Sequence, residues 1–267
     1  MKLRTGPDVG YATNAKNAYR LKVWSTLADR CPVRPCHANT LLMPAREGLE
    51  IDVARSRGFS PYRMWILDRN PAVVAVHKRR WPAIQTVGRE LIRAEEKIPG
   101  ASLHAANIDL CGNVSSELTW FGIRNTARLM AEDSVIAVTV ARGRERMLES
   151  GVTWAEDIAR RHQAEPLTGT DMTDRTRLLN VGEFLRDAGR HRWVMLIRTF
   201  SYCSSGRITM LVGIYWLHNL RSRPQPGENS RYSRMIAFAL QHGLVGDRII
   251  ELGPYPREED PDFVEED

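Results

Sequence analysis

Three short polar segments hold the residues of this 267-residue sequence whose types and spacing best suit binding or catalysis. Each segment follows an apolar run directly and precedes a stretch with helical spacing. The candidate residues are Pro44, Ala45, Arg46, Glu47 and Gly48 in the first segment, Asp68, Arg69 and Asn70 in the second, and Asn107, Asp109, Cys111 and Asn113 in the third. Their backbone and side-chain groups are suited to hold a polar ligand through hydrogen bonds.

The first two segments have the spacing of a ribose-binding site. Residues 44–48 open a predicted helix, so their amides would lie at a positive helix end that attracts an anionic or polar group, and their glycine would allow close approach. Asp68 comes twenty residues after that glycine, the offset at which such folds bind a ribose diol through a carboxylate. Alternatively, Asp68 and Asp109 cap the helices that follow them, and Glu47 and Glu50 lie on a helix surface.

The rest of the sequence supplies the elements that would position these segments. Short apolar runs alternate with amphipathic stretches from residue 39 onward, which predicts a parallel sheet with helices on both faces. Predicted strands cover 40–43, 64–67, 84–87, 102–108, 135–141, 193–202 and 207–217, and predicted helices cover 48–57, 71–81, 89–98, 115–130, 142–161 and 174–188. The last two strands read as a hairpin. The predicted fold is α/β, a doubly wound and mostly parallel sheet of about seven strands closed by an antiparallel hairpin.

Composition divides the chain into four parts. Residues 1–38 form a basic N-terminal accessory segment with one predicted helix, and residues 39–220 form the α/β domain. Residues 221–256 contain a linker rich in proline and glycine and a short helix at 232–241, and residues 257–267 form an acidic tail.

Charge is unevenly distributed along the chain. The tail carries seven acidic residues and one basic residue, so the net charge of +6 for the whole chain becomes +12 for residues 1–256. A body this basic indicates an acidic partner such as nucleic acid, although arginine-rich proteins are also basic without binding one. Candidate contacts are Lys78, Arg79 and Arg80 at a helix end, where they alternatively cap the helix, and Arg142, Arg144 and Arg146 after the fifth strand.

Metal and membrane binding are not indicated by the sequence. Cys31, Cys36 and His37 are close together, but their spacing and the prolines between the thiols favour a stiff linker over a zinc site, so no metal is predicted and a metal site stays the alternative. The longest apolar run, 210–217, is far shorter than the roughly 20 residues of a membrane-spanning helix. We therefore expect a soluble, cytoplasmic protein.

Taken together, the three segments resemble those of the Rossmann-like, class I S-adenosylmethionine (SAM)-dependent methyltransferases, within them the divergent phage and mobile-element type with one glycine in the first segment. The resemblance covers roughly residues 39–217. It implies that the region around Gly48 bounds the methionine end of SAM, that Asp68 holds the ribose hydroxyls, and that Asp109 and Asn113 orient the methyl acceptor. The further cofactor-binding residues predicted on this basis are Arg69, Asn70 and Asn107. The family usually has two or three glycines in the first segment, and the two prolines and aromatic residue of nucleobase amino methyltransferases do not follow Asp109.

Cys111 raises a further possibility in the third segment. RNA cytosine-5 methyltransferases, which this segment resembles, place a nucleophilic cysteine shortly after an acid in the same loop. Cys111 lies two positions after Asp109, one fewer than in that family, and the intervening proline is absent. Cys111 is therefore either a nucleophile or a small packing residue, and in the second case Asp109 and Asn113 do the polar work.

The sequence thus supports two functional hypotheses. The first is a SAM-dependent methyltransferase that acts on nucleic acid, either DNA or RNA. The second is a catalytically degenerate methyltransferase-fold module that binds nucleic acid in replication or a phage-related process, as the glycine-poor first segment would allow. A nicotinamide-dependent enzyme is disfavoured because the dinucleotide fingerprint needs three glycines.

Overall fold

The computed structural model describes residues 14–88, 91–110, 112–114, 116–142, 174–186, 192–203, 209–219 and 250–254. The α-helices are α1 (Asn14–Arg30), α2 (Leu49–Ser56), α3 (Pro71–Arg80), α4 (Glu117–Leu129) and α5 (Asp174–Arg186). The strands are β1 (Thr40–Leu42), β2 (Met64–Leu67), β3 (Gln85–Val87), β4 (Leu103–Asp109), β5 (Met130–Ala141), β6 (Arg192–Cys203), β7 (Thr209–Asn219) and β8 (Ile250–Pro254). Short 3₁₀ helices cover Pro35–His37, Pro61–Arg63 and Leu91–Glu96.

All eight strands belong to one sheet with the order β3-β2-β1-β4-β5-β7-β6-β8. The first five strands in this order pair in parallel, and β7 is antiparallel to both β5 and β6. The predicted α/β fold is therefore confirmed as a mostly parallel sheet that ends in an antiparallel hairpin, with β8 added at the edge beyond that hairpin. Because β1 and β4 are neighbours, the strand order reverses between them, and ligands of such sheets bind outside the strand ends at this point.

Local sequence explains where the elements of this sheet begin and end. In β5 every residue from Ser134 to Ala141 is buried, as expected for a central strand rich in β-branched residues. Helix α3 begins at Pro71, whose missing amide hydrogen costs nothing in the first turn, and the side chain of Asn70 accepts a hydrogen bond from the amide of Ala72 over 3.0 Å.

The N-terminal helix α1 is part of the core. Tyr19, Val23, Trp24 and Leu27 are buried in one apolar cluster with residues of α2, β2 and the central strands. The other face of the sheet is covered by Leu91–Glu96, α4 and α5. The segment that the sequence interpretation treats as accessory therefore contributes a helix to the sheet face, next to the strand ends that carry the candidate site.

Three elements differ from the sequence predictions, each for a local reason. Leu91–Glu96 is a 3₁₀ helix within the predicted helix 89–98, a form common in short pieces. β5 begins at Met130, five residues before the predicted strand. Glu132 and Asp133 in its first part are exposed, so this part lacks the apolar run from which a buried strand is predicted. β8 pairs with β6 and was not predicted, since Gly253 and Pro254 are uncommon in strands and suit only an edge.

Several predictions fall outside the described residues. They concern the helix predicted at 142–161 beyond its first residue, the helix predicted at 232–241, the linker, the acidic tail, Cys111, Arg144 and Arg146. Within the described part of the chain, no helix is long and apolar enough to cross a membrane, and no three His, Cys, Asp or Glu side chains are grouped so that they could hold a metal ion.

Candidate functional site

The ends of β1, β2 and β4 bring the three polar segments to one edge of the sheet. β1 lies between the other two strands, and Leu42 near its end is aligned with Ile66 on one side and Asn107 on the other. The strands run in parallel, so all three segments leave the sheet at the same edge. The juxtaposition that the sequence predicts is present, while the roles of the individual side chains stay predictions.

The first loop, residues 44–48, turns sharply into α2. The amide of Gly48 donates to the carbonyl of Ala45 over 2.9 Å, and its φ of +66° is a left-handed conformation that favours glycine. A Cβ atom here would overlap the indole of Trp81, at 2.6 Å from Cζ3, and would lie 3.3 Å from Cε1 of His77. The sequence interpretation left this space for a ligand, but the indole ring occupies it.

Arg80 holds the loop and the indole together. Its guanidinium carbon lies 4.3 Å from the centre of the Trp81 ring, and its Nη1 donates to the carbonyl of Glu47 over 2.9 Å. Its Nη2 lies 3.3 Å from Oδ2 of Asp52 on α2. Arg80, predicted as a nucleic-acid contact, thus has an intramolecular role at the first loop.

Two polar groups beside this loop are buried without a hydrogen-bond partner in the described part of the chain. One is the imidazole of His77, at both of its ring nitrogens, and the other is the carboxylate oxygen Oε2 of Glu47. Burial lowers the pKa of His77, although Asp68 and the backbone of Ala45 and Pro44 favour the charged form. His77 is therefore neutral near pH 7, and Oε2 of Glu47 is an acceptor to which a bound donor would be complementary.

Asp68 is held by the turn that leads into α3. Its Oδ1 accepts a hydrogen bond from the amide of Asn70 over 2.7 Å, and Asn70 rather than Asp68 caps the helix. The capping alternative for Asp68 is therefore excluded. Asn70, predicted to bind a cofactor, uses its side chain as the cap, and Arg69 is exposed.

Just inside the same edge, four side chains from four elements form what we call the buried polar cluster: Tyr19 of α1, Glu50 of α2, Asn107 of β4 and Thr139 of β5. Nδ2 of Asn107 donates to Oε1 of Glu50 over 2.6 Å. The hydroxyl of Tyr19 lies 2.9 Å from Oγ1 of Thr139 and 3.3 Å from Oδ1 of Asn107. Nε1 of Trp24 also donates to Oε1 of Glu50, over 3.2 Å.

Burial and nearby charges shift the titration of two cluster residues. Burial raises the pKa of Glu50 to about 7, against the hydrogen bond from Asn107 and the attraction of Arg20. Burial also raises the pKa of Tyr19. The negative charge of Asp109 contributes to both rises, which shows that Asp109 interacts electrostatically with the cluster. Shifts of this kind concentrate at functional sites, although structural networks also produce them.

The third loop begins at Asp109, the last residue of β4, and is fastened to β5. The amide of Leu110 donates to the carbonyl of Thr139 over 3.2 Å, and the amide of Ala141 donates to the carbonyl of Gly112 over 2.9 Å. Asp109 and Asn113 are half-buried. Asp109 therefore lies at the start of a loop that is hydrogen-bonded to β5 at Leu110 and Gly112, and its charge acts on the buried polar cluster.

The predicted nucleic-acid contacts are placed differently from one another. Lys78 and Arg79 are exposed at the end of α3. Nε of Arg142 lies 3.1 Å from Oδ1 of Asp174, the first residue of α5, which also pairs with Arg177. Arg142 therefore joins α5 to the end of β5, and like Arg80 it makes an ion pair inside the chain.

The sequence interpretation missed most of the buried polar cluster. Asn107 was found, as a polar residue in an apolar run, but as a cofactor ligand rather than as a side chain committed to Glu50 and Tyr19. Glu50 was given a surface alternative, yet it is only 6% exposed. Tyr19 lies among apolar residues in its predicted helix. The available signal was its hydroxyl group, which needs a hydrogen-bond partner when the residue is buried.

Comparisons with known proteins give likeness in fold alone. No protein-family model and no curated protein matches the sequence. The N-methyltransferase NodS from Bradyrhizobium japonicum WM9 is 11% identical, covers 78% of this chain and 99% of its own, and superposes with a TM-score of 0.49. The 1,6-didemethyltoxoflavin-N1-methyltransferase of Burkholderia thailandensis, solved with bound S-adenosylhomocysteine, is 15% identical over 75% of this chain and 79% of its own, with a TM-score of 0.47.

The [4+2]-cyclase SpnF is a further similar structure, 11% identical over 75% of this chain and 81% of its own, with a TM-score of 0.47. Similarities this low do not bear on substrate or activity. The fold assignment rests on the strand order and direction of the sheet itself.

Proposed function

We propose that this chain binds SAM at the edge formed by the first loop and Asp68, and transfers its methyl group to a nucleic acid. The observation that supports the proposal is the position of these two features at adjoining strand ends, beside the point where the strand order reverses. When bound, SAM would supply an electrophilic methyl group on a positively charged sulfur.

Acceptor atoms at this edge suit such a ligand. Asp68 uses Oδ1 for the amide of Asn70, and its Oδ2 has no hydrogen-bond partner among the described residues, so Oδ2 would accept from a ribose hydroxyl. Oε2 of Glu47, buried without a partner in the described part of the chain, would accept from the ammonium group of the methionine end. These two acceptors fit the ribose and ammonium groups of the cofactor, while the indole of Trp81 fills the space directly beside Gly48.

The remaining roles concern the methyl acceptor. Asp109 and Asn113 would orient it for in-line attack, so that catalysis consists mainly of positioning. The role of Cys111 as a nucleophile stays a prediction. Unchanged methyl transfer by a Cys111→Ser variant would contradict that role.

A nucleic acid is the proposed acceptor because of charge. Residues 1–256 carry a net +12, and Lys78 and Arg79 are exposed at the end of α3. Phosphate contacts of this kind position a nucleic acid without reading its sequence. Arg80 and Arg142 are already paired within the chain, so they add less to this surface than the sequence interpretation expects.

Transfer of a labelled methyl group tests the function. We expect incorporation from labelled SAM into DNA or RNA, with loss of at least about tenfold in an Asp109→Asn variant because the acceptor is no longer oriented. Glu132→Gln is the matched control, since Glu132 is exposed in the first part of β5, away from the strand ends. Label in protein but not in nucleic acid would contradict the proposed acceptor.

A second candidate function is favoured by the first loop. Trp81 fills the space next to Gly48, and Arg46 and Glu47 stand where the methyltransferases have small residues. This loop would suit a degenerate module that binds nucleic acid in replication or a phage-related process. A salt-dependent gel shift that persists in an Asp68→Ala variant, without methyl incorporation by the wild type, would support that module over the enzyme.

A further inference from the structure

The buried polar cluster has no part in the roles proposed so far, yet it lies between two of them. Glu50 follows Gly48 of the first loop by two residues. Its hydrogen-bond partner Asn107 precedes Asp109 by two residues in β4, a spacing that puts both side chains on one face of the strand. The hydrogen bond between Glu50 and Asn107 therefore joins the helix that follows the first loop to the strand that ends at Asp109.

Glu50 is the member of the cluster able to change its charge. Its Oε1 accepts two hydrogen bonds, from Asn107 over 2.6 Å and from Trp24 over 3.2 Å. Its Oε2 has no donor among the described residues. A proton can therefore be added to or removed from Oε2 without breaking either hydrogen bond.

Within the described part of the chain, two charged groups act on Glu50 from neighbouring elements. Asp109 of β4 favours its neutral form, Arg20 of α1 favours its charged form, and the phenol of Tyr19 is neutral. Asn107, Thr139 and Trp24 carry no charge. With burial as the largest effect, the pKa of Glu50 is raised to about 7, so about half of the molecules carry the proton at pH 7.

We propose that Glu50 balances the charge of the cofactor: it loses its proton when the sulfonium of SAM binds and regains one when methyl transfer leaves neutral S-adenosylhomocysteine (SAH). The inference rests on the proposed function. In the transfer, a lone pair of the acceptor forms the bond to the methyl carbon, and the electrons of the S–CH₃ bond return to sulfur. The acceptor loses a proton, and the Glu50 carboxylate takes up one, so charge and protons balance.

Calorimetry in two buffers with different ionisation enthalpies tests this inference, because the difference in heat reports the protons released on binding. At pH 7 we expect the full-length wild type to release about half a proton on binding SAM and almost none on binding SAH, since only SAM brings a positive sulfur. Glu50→Gln should abolish the release while its amide oxygen still accepts from Asn107 and Trp24. Glu132→Gln, the exposed control, should release as many protons as the wild type.

A second measurement needs no variant and therefore does not depend on how Glu50→Gln folds. Between pH 6 and pH 8 the affinity of the wild type for SAM should rise by up to about tenfold, while the affinity for SAH stays constant, because only the charged Glu50 attracts the sulfonium. SAM binding with no proton release and no difference from SAH in pH dependence would overturn this inference alone. Absence of SAM binding would overturn the proposed function and this inference with it.

Discussion

The first loop is held in two different ways on its two sides. Towards α3 it packs by shape, with the backbone of Gly48 against the indole of Trp81, while both nitrogens of His77 lack hydrogen-bond partners in the described part of the chain. Towards α1 it continues into a hydrogen-bonded network in which Glu50 contacts Asn107 and Trp24.

The difference separates two properties of the candidate site. Close packing fixes where the loop lies, because a steric contact tolerates little displacement. The network sets the pKa of Glu50, because this carboxyl group is buried and its protonation depends on its neighbours. A variant that adds volume at Gly48 should therefore change stability through steric overlap, and a variant that removes the Glu50 carboxyl should change the dependence of stability on pH.

The largest expected effect is on the α3 side, from Gly48→Ala. The new methyl group would overlap Trp81, and the φ of +66° adds strain for any residue with a Cβ atom. We expect the free energy of unfolding to fall by about 3 kcal/mol or more in chemical denaturation.

Gly58→Ala provides the matched control for that measurement. Gly58 also has a positive φ, of +90°, but a Cβ atom there meets only Cβ of Pro35 at 3.6 Å, an ordinary contact. Gly58→Ala should therefore lower the free energy of unfolding by about 1 kcal/mol, from backbone strain alone. Equal losses for the two variants would show that the contact with Trp81 does not hold the loop.

The next effect is on the α1 side, from Glu50→Gln measured against pH. The pKa of Glu50 is raised from 4.5 to about 7 in the folded chain, so the folded state binds more protons than the unfolded state between these values and stability falls as pH rises through them. Glutamine does not titrate. We expect Glu50→Gln to be more stable than the wild type by about 2 kcal/mol at pH 8, and nearly equal to it at pH 5.

Denaturation curves at the two pH values measure this difference, and Glu132→Gln controls for the loss of one exposed charge. A difference between Glu50→Gln and the wild type that stays the same from pH 5 to pH 8 would contradict the account of the buried polar cluster.

The smallest effect is expected for His77→Phe. Burial lowers the pKa of His77 in the folded chain, so the unfolded state binds more protons below the ordinary value of 6.5, and stability falls as pH drops through that range. Phenylalanine fills a similar volume and does not titrate. Between pH 7.5 and pH 5.5 the free energy of unfolding of the wild type should therefore fall more than that of the variant, as measured by chemical denaturation at both pH values. The exposed His37 is the control, and a His37→Phe variant should follow the wild type.

The same contrast explains what the sequence could predict. The strand at Met64–Leu67 follows from an apolar run, and the helix after Asn70 follows from helical spacing and a proline in its first turn, all of which are local signals. The meeting of the three segments at one edge follows from the parallel sheet. These features depend on residues close together in the chain or on a general property of the fold.

The contacts that define the site depend on residues far apart. Nothing near Gly48 in the sequence shows that Trp81 fills its open side, and nothing near Asn107 shows that Tyr19, 88 residues earlier, bonds to it. Arg80 looks like part of a basic patch until the structure places it on the indole. Tertiary packing decides these roles, so the fold was predictable and the partners of the site residues were not.

The most direct test of the central claim is a calorimetric titration of the full-length protein with SAM. Wild type should bind SAM at a single saturable site, and Asp68→Ala should weaken binding at least about tenfold, the effect expected when one hydrogen bond to a charged acceptor is lost. Glu132→Ala should leave the affinity unchanged. Asp68→Ala also loses the hydrogen bond from the amide of Asn70, so its titration is made well below its own unfolding temperature. No heat of binding and no thermal shift for the wild type at millimolar SAM would contradict the claim that this edge binds the cofactor.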